Sequence, residues 1–167
     1  SMVMINYAKE IKGNFLSDLD GVPLSTAIGN MSDIEAEYFG FKMIIEVTMS
    51  AGNRQYEMEG EPVPRHFGNI QRSTNLPVYC LFVAPKISEG TLAHFFNLNR
   101  INTKAYGGKT RIVPMSLDQF INFISIAKDK NFNDPQSLKS YFDNIIVQNM
   151  KANDEVIWSE YIANSIP

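Results

Sequence analysis

Asp33, Glu46 and Glu59 follow one another at intervals of thirteen residues. Glu46 stands in a strongly apolar run, Phe41-Lys42-Met43-Ile44-Ile45-Glu46-Val47-Thr48-Met49. A carboxylate buried in such surroundings is costly unless something pairs with it. Carboxylate oxygens suit Mg2+ or Ca2+. Carboxylates drawn from two strands and a helix could hold one or two Mg2+ ions, and such a site activates water and neutralises charge on a phosphodiester. The spacing is weak evidence by itself, since solvated carboxylates on loops and helix faces produce it too. Glu46 is the member that this alternative explains worst. Glu35, Glu37, Glu57 and Glu61 read as solvent-facing.

The elements that must position these acids follow from pattern. Phe41 to Met49 predicts a strand, rich in β-branched residues. A hairpin beginning near Ile34 would bring Asp33 to Glu46 at its open end. Asn6 to Ile11 reads as the tail of a helix ended by Gly13, and Asp18 to Gly40 as loop with short extended pieces. Gly52 to Gln71 is helix-like, with a break near Glu61–Pro64 imposed by Pro62 and Pro64. Val63, Phe67 and Ile70 then share one apolar face. Pro77 to Ala84 is nearly all apolar, as in a central strand covered on both sides.

Ser88 predicts the cap of a helix running to about Asn99, and Thr110 to Met115 a third strand. Ser116-Leu117-Asp118-Gln119 matches a capping box. Asp134-Pro135 opens a helix to about Met150, and a last helix covers roughly Asp154 to Ala163. The alternation indicates a three-layer α/β domain.

The chain has 167 residues, 44% hydrophobic and 20% charged, enough for one domain with its own core. A net charge of -3 argues against tight autonomous binding to nucleic acid, though not against a catalytic module that another domain delivers. The thinly spread cations Arg65, Arg72, Lys86, Arg100, Lys104, Lys109 and Arg111 read as solvated surface. One cysteine, Cys80, excludes an internal disulfide; with no secretory segment this fits a reducing cytoplasm. No apolar stretch approaches the roughly 18 residues of a membrane span. Ser1-Met2 reads as a cloning scar followed by a start.

Other features are blander. His94, among apolar helix residues, and Cys80, inside a core strand, are expected to be structural. Gly107-Gly108-Lys109-Thr110 lacks the spacing of a phosphate loop and precedes a strand, which rejects that reading. The Phe120/Phe123 and Tyr141/Phe142 stripes fit a core, or equally a dimer face.

A longer pattern is more specific. Glu46 ends a strand and is followed by Val47-Thr48. Then comes Gln55-Tyr56-Glu57-Met58-Glu59-Gly60-Glu61-Pro62-Val63-Pro64-Arg65-His66, and later Leu81-Phe82-Val83-Ala84-Pro85-Lys86-Ile87, Phe96-Asn97-Leu98-Asn99 and Pro114-Met115-Ser116-Leu117-Asp118-Gln119-Phe120. Over about residues 14–125 the chain resembles the AlwI-type family of type IIS restriction and nicking endonucleases, specifically their cleavage domain. More distantly it is similar to the FokI cleavage domain.

The resemblance implies a PD-(D/E)xK nuclease with a three-layer α/β/α restriction-endonuclease-like fold, a central mixed sheet and a helical C-terminal part. Asp33 would be the first acid, Glu46 the second and Glu59 the third, together binding Mg2+, with Mn2+ able to substitute. The usual lysine would fall at Thr48 and is absent, as it is in that family. Arg65 and His66 would touch phosphate or support a carboxylate; Gln55 could orient a carboxylate or phosphate, and Arg54 is expected to be solvated. The family's further glutamate on an N-terminal helix has no counterpart, Glu10 being the nearest stand-in, so residues 1–167 are expected to form one cleavage domain lacking that helix, with 125–167 as a helical extension.

The expected activity is Mg2+-dependent hydrolysis of double-stranded DNA, with recognition supplied by a domain or subunit outside this chain and dimerisation with a second cleavage domain for double-strand cutting. The alternative is a catalytically silent DNA-associated or subunit-interaction domain on the same fold.

Overall fold

The computed structural model describes residues 8–14, 16, 19–20, 31–129 and 134–165. The expectations for Asn6, Tyr7, Asp18 and the loop 21–30 lie outside the described residues.

Five strands form one mixed sheet in sequential order: β1 (Glu10–Gly13), β2 (Ile34–Tyr38), β3 (Phe41–Val47), β4 (Val78–Ala84) and β5 (Ile112–Ser116). β1, β2 and β3 pair antiparallel, while β3, β4 and β5 pair parallel. The hairpin between β2 and β3 turns on Phe39-Gly40, and Gly40 takes φ 93°, a left-handed conformation cheap only for glycine.

Parallel strands need long crossovers, and helices supply them. The β3–β4 crossover holds α1 (Gly52–Glu59) and α2 (Pro62–Ser73); the β4–β5 crossover holds α3 (Glu89–Arg100) and a 3-10 turn (Lys104–Tyr106). Beyond the sheet come α4 (Leu117–Asp129), α5 (Pro135–Lys151) and α6 (Glu155–Asn164).

Alternation along the strands divides the core in two. Ile44, Cys80, Phe82 and Ile112 meet Val63 and Phe67 of α2 on one face. Met43, Ile45, Leu81, Val83 and Val113 meet Phe123, Phe142, Ile145 and Trp158 of the C-terminal helices on the other. Phe95 of α3 joins the first cluster and Phe96 the second. β4 is buried along its whole length, as its apolar run predicts.

The helix boundaries follow local chemistry. α2 restarts at Pro62, whose missing N–H suits a first turn. Ser88 accepts from the Thr91 N–H, and Asp134 accepts from the Ser137 N–H at 2.8 Å. The box before α4 closes reciprocally: the Gln119 N–H donates to Ser116 Oγ at 3.2 Å, and the Ser116 N–H donates to Gln119 Oε1 at 2.8 Å. Phe120, Phe123, Tyr141 and Phe142 are buried, so both aromatic stripes are core and not a dimer face.

One expectation is overturned. Glu10 and Ile11 belong to a strand, not to the tail of a helix. β1 pairs with β2 from Glu10↔Glu37 to Gly13↔Ile34, and ladder pairing outweighs the weak local helical pattern. The edge is short and charged, which protects it against further pairing. Among the described residues no helix is long and apolar enough to cross a membrane.

Candidate active site

The site grows from the β2–β3 hairpin. Its register pairs Ile34 with Ile45, and the next step outward sets Asp33 beside Glu46. Asp33 is fixed there because its Oδ2 accepts the Val47 N–H at 2.8 Å. Glu46 points to the same face as Ile44, the face that α2 covers. It is 6% exposed and pairs laterally with Phe82 in the parallel ladder.

His66, one turn into α2, comes down on this carboxylate: its Nδ1 lies 2.9 Å from Glu46 Oε1. The carboxylate accepts, so Nδ1 carries the proton and Nε2 bears no hydrogen bond to a described residue. Burial holds the Glu46 carboxyl above its ordinary value; the hydrogen bond and charge of His66 pull it down, and the charge of Asp33 pushes it further up.

Glu59 is placed differently. It is the last residue of α1, half-buried, and forms no hydrogen bond or ion pair with a described residue. Among the described residues, no group of three or more histidines, cysteines, aspartates and glutamates is set to hold a metal ion. The structure thus sets Asp33 beside Glu46 and His66 against Glu46, and gives Glu59 no bond to a described residue.

Gln55 does not face a carboxylate. It is fully buried, and its Nε2 donates to Ser50 O and Lys86 O, each at 2.9 Å, while its Oε1 accepts the Ser88 N–H at 2.8 Å. All its bonds go to backbone, so it staples the loop after β3 to the loop after β4. Arg65 bonds Glu61 through Nε, at 2.9 and 3.1 Å to its two carboxylate oxygens. Arg54 is exposed, as expected. Glu37 pairs with Lys42 at 3.0 Å. Glu10 lies four places along β1 from Asn14, roughly 13 Å at strand rise, so it is no stand-in for an acid beside Asp33.

Thr48, where the usual lysine would fall, is buried; its N–H donates to Val83 O at 3.0 Å, and its hydroxyl accepts the Ser50 N–H at 3.1 Å. It shapes the strand exit. His94 donates from Nε2 to Gly60 O at 2.7 Å and meets Tyr56 edge-on, tying α3 to the α1–α2 junction, the structural role its surroundings suggest. Cys80 is fully buried; burial and the charges of Glu46 and Asp33 push its thiol far up, so it is inert.

Sequence reasoning missed Asn14, Ser32 and Glu35. Asn14 Nδ2 donates to Ser32 O at 2.8 Å and to Glu35 Oε1 at 3.0 Å, so Glu35 is half-buried and bonded to Asn14, not simply solvent-facing. No periodicity marks these residues; a correct assignment of β1 would have found them.

The donor set fits a hard divalent cation. Mg2+ retains several waters and is usually held by one or two carboxylates together with substrate phosphate. Asp33 and Glu46, side by side at a strand end, supply such a pair.

The mixed sheet with helices on both faces is a three-layer α/β fold. The AlwI restriction endonuclease family model matches residues 1–123, and the chain belongs to that family. In fold it is similar to the crystal structure of the small subunit (R.BspD6I2) of the heterodimeric restriction endonuclease R.BspD6I, with a TM-score of 0.77 and 23% identity over 96% of this chain and 81% of that one. No curated protein matches the chain.

Proposed function

We propose that the chain is a Mg2+-dependent DNA endonuclease subunit or domain that hydrolyses a phosphodiester bond. The observation that carries this reading is the buried Glu46 carboxylate, set beside Asp33 and gripped by His66 at 2.9 Å. A bound Mg2+ supplies a Lewis acid for the phosphoryl oxygens and a water of lowered pKa. Asp33 and Glu46 would hold it, Asp33 oriented by the Val47 N–H and Glu46 by His66.

Glu59 is the third acid by resemblance. His66 aligns Glu46 and favours its charged form against the cost of burial, and its Nε2 is available to exchange a proton with water or a phosphate oxygen. Sequence recognition comes from a partner subunit or a domain outside this chain, in line with the weak negative charge. A second cleavage domain cuts the other strand.

Glu46→Ala in the full-length protein, assayed with its recognition partner and Mg2+, is expected to abolish cleavage. Unchanged cleavage overturns the assignment. A second reading, a catalytically silent subunit-interaction domain, is favoured by the absence of a three-acid group among the described residues. Calorimetric titration with Mn2+ separates the two: no binding at millimolar metal favours the silent domain.

A further inference from the structure

Asn14 lies one step beyond β1. Its N–H donates to Asp33 O at 2.9 Å, which carries the ladder past Gly13↔Ile34 and sets Asn14 beside Asp33 as Asp33 is set beside Glu46. Laterally paired side chains share a face. Asn14, Asp33 and Glu46 therefore form one row across three strands. The bond from Asn14 Nδ2 to Glu35 Oε1, two places along from Asp33, fixes the same face.

The orientation of the amide is settled by its neighbours. Nδ2 gives its hydrogens to Ser32 O and Glu35 Oε1; a flipped amide would set oxygen against both. Oδ1 is then left over. Asn14 is 7% exposed, and among the described residues Oδ1 has no hydrogen-bond partner. A buried acceptor without a partner is destabilising, so the site calls for a donor or a cation. Asparagine carbonyls belong to the oxygen set that hard divalent cations take.

We propose that Asn14 is a further oxygen donor of the divalent-metal site built on Asp33 and Glu46. Ser32 and Glu35 hold its amide with the free oxygen turned away from them. This rests on the metal-site reading given above. It adds a neutral donor from the edge strand, which the spacing of acids could not reveal.

Two measurements on the full chain test it. Calorimetric titration with Mn2+ compares the wild type with Asn14→Ala, and the variant is expected to bind about 10-fold more weakly or worse. NMR of the wild type follows the Asn14 side-chain amide during Mg2+ titration, and the signal is expected to shift to saturation with the metal. This second measurement needs no substitution, so a loosened β1 in Asn14→Ala cannot decide the outcome. A wild type that binds no metal removes the underlying site and this proposal with it. A wild type that binds, with equal affinity in Asn14→Ala or with an unmoved Asn14 amide while the Asp33 and Val47 backbone signals shift, overturns the role of Asn14 alone.

Discussion

Glu46 and His66 meet at 2.9 Å across the boundary between β3 and α2, and neither is more than slightly exposed. A buried carboxylate thus gains a hydrogen-bond donor from the helix that covers it. The bond offsets only part of the burial, because the carboxyl still sits above its ordinary value of 4.5.

This gives a stability prediction with a defined sign. Well below pH 4.5 Glu46 is protonated in folded and unfolded chains alike and adds no pH-dependent cost. As pH rises through the raised folded value, the unfolded chain releases its proton more readily and stability falls. Glu46→Gln should therefore be more stable than wild type at pH 7–8 without metal, by of the order of 1 kcal/mol or about 2–4 °C in Tm. The gap should close below pH 4.5. Thermal melts across pH in EDTA check this, and a variant less stable at pH 8 would sink it.

Asp33→Asn separates geometry from charge. The amide oxygen can still accept the Val47 N–H, so Tm should hold within about 1 kcal/mol. Cleavage should fall by at least the 10–100-fold typical of losing a group around a metal. Full activity in a DNA nicking or cutting assay would count against the acid pair.

Glu59 makes no bond to a described residue, so Glu59→Ala should leave Tm within about 0.5 kcal/mol of wild type. Its proposed role as third acid requires that cleavage be lost nonetheless. Retained cleavage would confine the chemistry to Asp33, Glu46 and His66.

Gln55→Leu removes three bonds to backbone in a fully buried position. It strands the Ser88 N–H and two carbonyls and should cost about 2 kcal/mol, roughly 4–8 °C in Tm. A melt unchanged from wild type would show that the two loops hold without the staple.

Gly68 of α2 lies against the 3-10 turn so closely that a Cβ would stand 2.7 Å from Tyr106 Cα. The obstacle is backbone, so Gly68→Ala should destabilise by about 1–3 kcal/mol. Denaturant unfolding checks it; a neutral result would mean that the turn moves freely.

The two intervals of thirteen turn out to differ in kind. Asp33 to Glu46 is the length of a hairpin: antiparallel register places the residues flanking Ile34 and Ile45 opposite each other. That half of the site was legible because period-two patterning and the apolar run mark β3. Glu46 to Glu59 crosses a loop and a helix, and no periodicity fixes where such a step ends. The central strands, the break at Pro62 and the caps at Ser88, Ser116 and Asp134 were equally readable from local chemistry. β1 was not, because a four-residue edge strand owes its form to its neighbour. Gln55 was read as a site residue, since a sequence does not tell a buried staple from a ligand contact.

The hairpin and the helix α2 contribute to the site separately. Twelve residues lie between Asp33 and Glu46, whereas His66 arrives twenty residues after Glu46, in the crossover to β4. Hairpins close in about 1–10 μs, and alone they are marginal in water. The hairpin alone therefore leaves the acid pair hydrated, and α2, packed over it, strips water from Glu46.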